Sequence, residues 1–238
     1  MVIALRNSNL YTSLLKKILT DSIAGFTPAR LDGRDWPKNG FTMIGHKRLD
    51  NIEVCVREIL ENNIEGDFLE AGVWKGGASI LMRAILKSYS IDNKTVWLAD
   101  SFKGLPAPKA EYPEDKNDIH YQYEELAISI GQVKRNFESF DLLDEQVQFI
   151  EGWFHETLFD APVNKLSLLR LDGDMYESTY ITLEALYHKV SMGGFVIVDD
   201  YGYLESCKNA VHDFLNKYNL KPAIQKIDWT GVYWKVEP

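Results

Sequence analysis

Four aspartates stand in two short blocks, Asp172-Gly173-Asp174 and Asp199-Asp200. Each block directly follows an apolar run, Leu168-Leu169-Arg170-Leu171 in one case and Phe195-Val196-Ile197-Val198 in the other. Carboxylates held close together repel one another and raise one another's pKa, an arrangement that a cation placed between them relieves. Oxygen donors with no His or Cys nearby select Mg²⁺, Ca²⁺ or Mn²⁺ over Zn²⁺. The competing role for such acids is to cap helices or turns. Asp174 suits it, because Glu177-Ser178-Thr179 begins a helical pattern just beyond.

A second block, Phe68-Leu69-Glu70-Ala71-Gly72-Val73-Trp74-Lys75-Gly76-Gly77, runs from an apolar stretch through a glycine-rich turn into a helical pattern. Glycines let a backbone approach a ligand closely, and the start of a helix offers free N–H groups. The spacing is G-x-x-x-G-G, not the G-x-G-x-x-G of dinucleotide sites. Glu70 would repel a pyrophosphate there, yet could accept a hydrogen bond from an α-ammonium. S-adenosylmethionine has that ammonium and no phosphate. Asp100 ends the next apolar run, where a carboxylate typically takes both ribose hydroxyls. A tight turn without a ligand and a simple cap are the plainer alternatives for these two sites.

A sulfonium methyl donor beside a hard cation is chemistry for an oxygen nucleophile. A metal lowers the pKa of a bound hydroxyl and orients it, a carboxylate takes its proton, and positioning supplies much of the rate. Three alternatives fit less well. The glycine spacing argues against an NAD-dependent oxidoreductase. An N-methyltransferase would have no use for the acids, since an amine lone pair needs no metal. A catalytically silent cofactor-binding protein predicts loss of the acids, and they are present.

These side chains must be carried by strands. Short apolar runs fall at 68–71, 96–99, 147–150, 166–171 and 195–198, with amphipathic helical stretches at 78–87, 125–140 and 178–190 between most of them. Such alternation predicts a parallel sheet covered on both faces. Adjacent parallel strands share one carboxyl edge, so Glu70, Asp100 and the four aspartates are expected to converge. A helix over 205–218 then leads to two strands, 223–227 and 232–236, joined through Trp229-Thr230-Gly231, which reads as a hairpin. Upstream lie helices over 8–21 and 46–62. The second carries Leu49, Ile52, Val56, Ile59 and Leu60 on one stripe. Residues 25–45 are rich in Pro and Gly. A long irregular insert covers about 103–123, the kind of segment that usually forms a lid or binding loop. We divide the chain into an N-terminal helical extension, 1–45, and an α/β domain, 46–238.

A length of 238 residues suits one such domain with additions. A formal net charge of −9 argues against nucleic acid and anionic membranes as partners. No apolar run is long enough to span a bilayer, and the N-terminus lacks the continuous apolar block of a signal peptide. The two cysteines, Cys55 and Cys207, lack metal or redox spacing and read as reduced thiols of a cytoplasmic protein.

Matched blocks extend further: Thr42-Met43-Ile44-Gly45, Arg48-Leu49-Asp50-Asn51, Asp100-Ser101-Phe102-Lys103-Gly104-Leu105-Pro106, Gly152-Trp153-Phe154, Leu171-Asp172-Gly173-Asp174-Met175-Tyr176-Glu177-Ser178-Thr179 and Asp199-Asp200-Tyr201. In this order they resemble the TylF family, the macrocin O-methyltransferases. The resemblance implies a Rossmann-like class I methyltransferase fold with a seven-stranded, mostly parallel sheet and a C-terminal antiparallel hairpin. It also implies S-adenosylmethionine and Mg²⁺. By resemblance Asp172, Asp199 and Asp200 hold the metal, and Asp172 or Asp174 is the general base, Asp172 being favoured. Thr42, Met43, Glu70, Ala71, Gly72, Val73, Ser79, Asp100, Ser101, Gly104, Gly152 and Trp153 would form the cofactor site. The acceptor would be a small hydroxylated molecule, a sugar or polyketide-like compound, and the protein a homo-oligomer. No assignable pattern appears before Thr42 or in the insert. His120, Tyr121 and Tyr123 could touch a sugar, and His46 and His155 could act as bases, although ordinary surface or capping roles suit them equally or better.

Overall fold

A computed structural model describes the backbone of residues 2–237 and the side chains of residues 9–237. Five strands are parallel: β1 (Asp67–Ala71), β2 (Val96–Asp100), β3 (Val147–Glu151), β4 (Leu166–Leu171) and β5 (Val190–Val198). Two more, β6 (Gln225–Lys226) and β7 (Val232–Lys235), close the sheet as an antiparallel pair, with β7 against β5. The order is β3-β2-β1-β4-β5-β7-β6. Chain direction around the sheet reverses between β1 and β4, and ligands bind at the carboxyl side of such a switch point.

The helices are α1 (Val2–Leu19), α2 (Pro28–Asp32), α3 (His46–Glu61), α4 (Gly77–Ser88), α5 (Ile130–Glu138), α6 (Phe154–Thr157), α7 (Tyr176–Leu186) and α8 (Glu205–Lys217). Successive strand residues point to opposite faces, so the strands feed two cores. Phe68, Leu98, Leu168, Phe195 and Ile197 pack with Leu19, Leu49, Ile52, Leu81 and Phe137 on one side. Leu69, Leu169, Val196 and Val198 pack with Leu183, Leu186, Val211 and Phe214 on the other. All six residues of β4 are buried, which is why its sequence reads as a continuous run.

The pleat also sorts the charges. Glu70 has the parity of Phe68 and lies opposite Arg170 in the β1–β4 register. Arg170 in turn faces Ile197 of β5, and Asp199 continues the parity of Ile197. Three ionisable residues therefore leave the sheet on the face covered by α3 and α4.

Several boundaries differ from the sequence pattern. The stretch 25–45 contains α2, whose first turn is capped by the Thr27 hydroxyl accepting from Arg30 N–H. The helix predicted over 125–140 begins only at Ile130, because Ser129 caps it, and 124–126 form one 3-10 turn. Strand β5 starts at Val190 instead of Phe195. Gly193 sits at φ 83° and the β4–β5 register shifts there, so a segment that looks like a loop still pairs. The second-last strand shrinks from 223–227 to two residues. The insert holds 3-10 turns at Pro113–Asp115 and His120–Gln122. No described helix is long and apolar enough to cross a membrane.

Candidate active site

The glycine-rich turn lies at the carboxyl end of β1, and its shape is fixed by its neighbours. Gly72 has φ 88°, and a Cβ there would stand 1.7 Å from the Asp172 carbonyl oxygen. Asp172 N–H donates to Ala71 O at 2.8 Å, and Gly72 N–H to Ala99 O at 2.9 Å. A Cβ on Gly77 would meet Phe41 O at 2.6 Å and the Thr42 side chain at 2.7 Å. Gly77 N–H donates to that same Phe41 carbonyl at 2.9 Å. The N-terminal segment is thereby sewn onto the start of α4, which places Thr42-Met43 beside the turn.

Asp100 completes the turn from the next strand. Its two carboxylate oxygens accept from Val73 N–H at 2.7 Å and Phe102 N–H at 2.7 Å. Burial raises its pKa above the ordinary carboxylate range, opposed by these backbone hydrogen bonds. Trp74, Phe102 and Asp174 all adopt left-handed backbone, at φ 47°, 54° and 58°. Such conformations cost about 1–3 kcal/mol for a side chain and gather at functional sites. Here all three lie just beyond the carboxyl ends of β1, β2 and β4.

These loops surround an open cleft, the concave kind of surface on which small-molecule sites form. Met43, Gly72, Val73, Asp100, Ser101, Gly104, Gly152, Trp153, Asp172 and Asp174 line it. Thr42, Glu70, Ala71, Ser79, Asp199 and Asp200 do not appear on its wall. Thr42 packs on Gly77 from behind. Glu70 is buried, accepts from Arg170 Nη1 at 2.6 Å and pairs with the Ser79 hydroxyl. Burial pushes its pKa up to about 7 despite the arginine. Its carboxylate therefore faces Arg170 and Ser79, not the cavity where an ammonium would lie.

Behind the cavity the acids converge. One carboxylate oxygen from each of Asp172, Asp199 and Asp200 lies within 4.8 Å of the other two. Burial first, then repulsion from Asp174, Asp172 and Asp199, drives Asp200 well above the carboxylate range. Asp172 is raised by burial and by Asp199, with Arg170 opposing, and Asp174 by burial and by Asp172. Two buried arginines offset part of this charge. Arg170 reaches Asp199 Oδ1 at 2.6 Å and Asp172 Oδ2 at 2.9 Å. Arg48, from α3, pairs with Asp199 Oδ2 and with Asp228 at 3.0 Å. Both oxygens of Asp199 thus already hold a guanidinium, although each carboxylate oxygen has a second lone pair to offer.

The sequence pattern did not single out Arg48, Arg170 or Asp228 as site residues. A signal existed for one of them. Arg170 interrupts a fully buried strand, and a charge in such a place requires partners. Trp74, Leu126, Phe154, Glu177 and Ile181 also line the cavity; Trp74, Phe154 and Glu177 stand in the matched blocks, and Leu126 and Ile181 lie outside them. Of the histidines weighed, His155 lines the cavity and pairs with Glu177 Oε1 at 3.3 Å. His46 lies buried, its Nε2 against the Thr20 and Ser22 hydroxyls. His120 Nδ1 pairs with Asp118 at 2.8 Å.

A parallel sheet closed by an antiparallel hairpin, with a glycine turn and an acid cluster at the switch point, defines a class I methyltransferase. The chain matches the macrocin-O-methyltransferase (TylF) family over residues 10–236 and belongs to it. It is 46% identical to demethyldecarbamoylnovobiocin O-methyltransferase of Streptomyces niveus, over 96% of this chain and 94% of that protein. It is 44% identical to an 8-demethyl-8-(2,3-dimethoxy-α-L-rhamnosyl)-tetracenomycin-C 4′-O-methyltransferase of Streptomyces olivaceus, over 95% and 92%. It is 41% identical to mycinamicin III 3″-O-methyltransferase of Micromonospora griseorubida, over 95% and 96%. The solved structure of the O-methyltransferase NovP superposes with a TM-score of 0.93 at 46% identity, over 97% of this chain and all of that one. The calicheamicin methyltransferase CalS11 shares the fold at 20% identity and a TM-score of 0.67, over 94% and 90%. The chain is an O-methyltransferase.

Proposed function

We propose that this enzyme moves a methyl group from S-adenosylmethionine to a hydroxyl of a glycosylated natural product, with Mg²⁺ held by Asp172, Asp199 and Asp200. The observation that carries this is the meeting of the glycine turn and the acid turn, Gly72 against Asp172, on one cavity wall. Three relatives are named for demethyldecarbamoylnovobiocin, a rhamnosyl-tetracenomycin C and mycinamicin III, the second naming a sugar outright, which supports the acceptor class.

The donor set fits a hard divalent cation: three carboxylates, each with lone pairs to spare, of which Asp172 and Asp200 are raised by burial and by the neighbouring acids. When bound, the cofactor supplies an electrophilic methyl group and the cation acidifies and orients the acceptor hydroxyls. The protein's own part is binding, orientation and proton transfer. Met43, Gly72, Val73, Asp100, Ser101, Gly104, Gly152 and Trp153 enclose the cofactor side. Glu70 and Ser79 act from behind, holding Arg170 and through it Asp172 and Asp199. Asp172 or Asp174 takes the hydroxyl proton. We assign it to Asp172, which stands on the turn touching Gly72. We further propose that the protein is a homo-oligomer, which light scattering tests.

The test is a methyl-transfer screen with demethyldecarbamoylnovobiocin, rhamnosides and catechols, with Mg²⁺ and with chelator. Transfer to a glycoside that requires Mg²⁺ is expected. Transfer undiminished in chelator would remove the metal from the mechanism. Asp200→Asn is the cleaner variant for the metal, because Asp199→Ala would also strand two buried arginines.

A further inference from the structure

The insert is joined to the acid-bearing turn by one buried side chain. Asp115, in the 3-10 turn Pro113–Asp115, is 1% exposed. Its Oδ1 accepts from Tyr176 N–H at 2.7 Å and its Oδ2 from Glu177 N–H at 2.9 Å. These are orphan donors of the first turn of α7. The N-cap residue of that helix, Met175, supplies no side-chain bond of its own. A residue some 60 positions upstream therefore serves as the cap. A second tie runs alongside it, from Lys109 Nζ to Glu177 Oε1 at 2.6 Å.

The turn so capped is the one that carries Asp172, Gly173 and Asp174 into the cavity. The ends of the insert reach the same cavity through Gly104, Leu105 and Pro106 on one side and Leu126 on the other. We propose that Asp115 is a positioning residue, fastening the insert to the start of α7 so that insert and acid turn form one wall for the acceptor. This rests on the reading of the cavity as the site of O-methyl transfer. Both oxygens and both N–H groups are used, so the anchor fixes orientation as well as position. A charge-assisted pair of this kind is also favoured by the helix dipole.

The test compares wild type with Asp115→Ala and Asp115→Asn. Hydrogen exchange by mass spectrometry reads the amides of Tyr176 and Glu177, and brief trypsin treatment reads cleavage after Lys109 and Lys116. Faster exchange and faster nicking are expected in Asp115→Ala, with Asp115→Asn intermediate because it keeps one acceptor oxygen. Kinetics with demethyldecarbamoylnovobiocin as acceptor should show KM raised about 10-fold or more, with the affinity for S-adenosylmethionine unchanged and Tm lowered only by the few degrees that a lost helix cap costs. Equal exchange and nicking in all three proteins overturns the anchor. So does a parallel fall in Tm, cofactor affinity and kcat, which marks a merely structural residue. If Asp115→Ala does not fold, Asp115→Asn carries the comparison. A wild type that methylates no acceptor in the screen defeats the acceptor reading alone, and exchange and nicking still judge the anchor.

Discussion

Gly72 and Asp172 touch through their backbones: a single Cβ on Gly72 would lie 1.7 Å from the Asp172 carbonyl oxygen. The glycine turn and the turn that carries the acids are therefore one packed unit.

Gly72→Ala is expected to damage both halves at once. The obstructing atom is backbone, so no side-chain rotation relieves it, and φ 88° adds its own strain. A loss of about 3 kcal/mol or more follows, with cofactor affinity falling alongside. Gly25→Ala, where nothing lies within 4 Å, is the control and should be neutral. Urea denaturation and calorimetric titration check both. A Gly72→Ala protein as stable as wild type sinks the contact.

Arg170→Met should cost about 3–5 kcal/mol, because it strands three acids at once. Glu70, Asp172 and Asp199 all rest on that guanidinium. Adding Glu70→Gln to Arg170→Met should recover part of the loss, giving a clear coupling energy in a double-mutant cycle. Strict additivity would show that the two side chains do not share a network.

Mg²⁺ should stabilise the fold by relieving the crowding of Asp172, Asp199 and Asp200. At ten times its Kd the gain is about 1.4 kcal/mol, or roughly 3–6 °C in Tm for a chain of this size. The shift should vanish with chelator and in Asp200→Asn. A Tm indifferent to Mg²⁺ in the wild type counts against the site.

His46 predicts a pH dependence of stability. Burial lowers its pKa below the ordinary 6.5, with Asp50 opposing. The unfolded chain therefore binds the proton first on acidification. The contribution of His46 is complete above pH 6.5 and shrinks as the pH falls below it. His46→Gln should flatten the stability curve in that window, as read by urea midpoints between about pH 5 and 7. An unchanged slope would place the titrating group elsewhere.

Much of this was legible along the chain. The runs ending in Asp172 and in Asp199-Asp200, the turn at Gly72 and the final hairpin are local patterns, and strand periodicity carries them to one edge. The helix boundaries were less so: Ser129 and Thr27 cap their helices where composition alone suggested continuation or loop. Glu70 shows the limit best. Its type and place suit an ammonium, yet the pleat turns it toward Arg170.

The order of residues by itself determined which chemistry was available: carboxylates at strand ends, glycines where a backbone must come close, and a long insert with no pattern of its own. Only the tertiary structure decided who faces whom. Arg48 meets Asp199 across 151 positions and Asp115 reaches α7 across about 60. Those pairings depend on strand register, pleat parity and the docking of an irregular loop, and each of these is set by contacts between segments far apart in the chain.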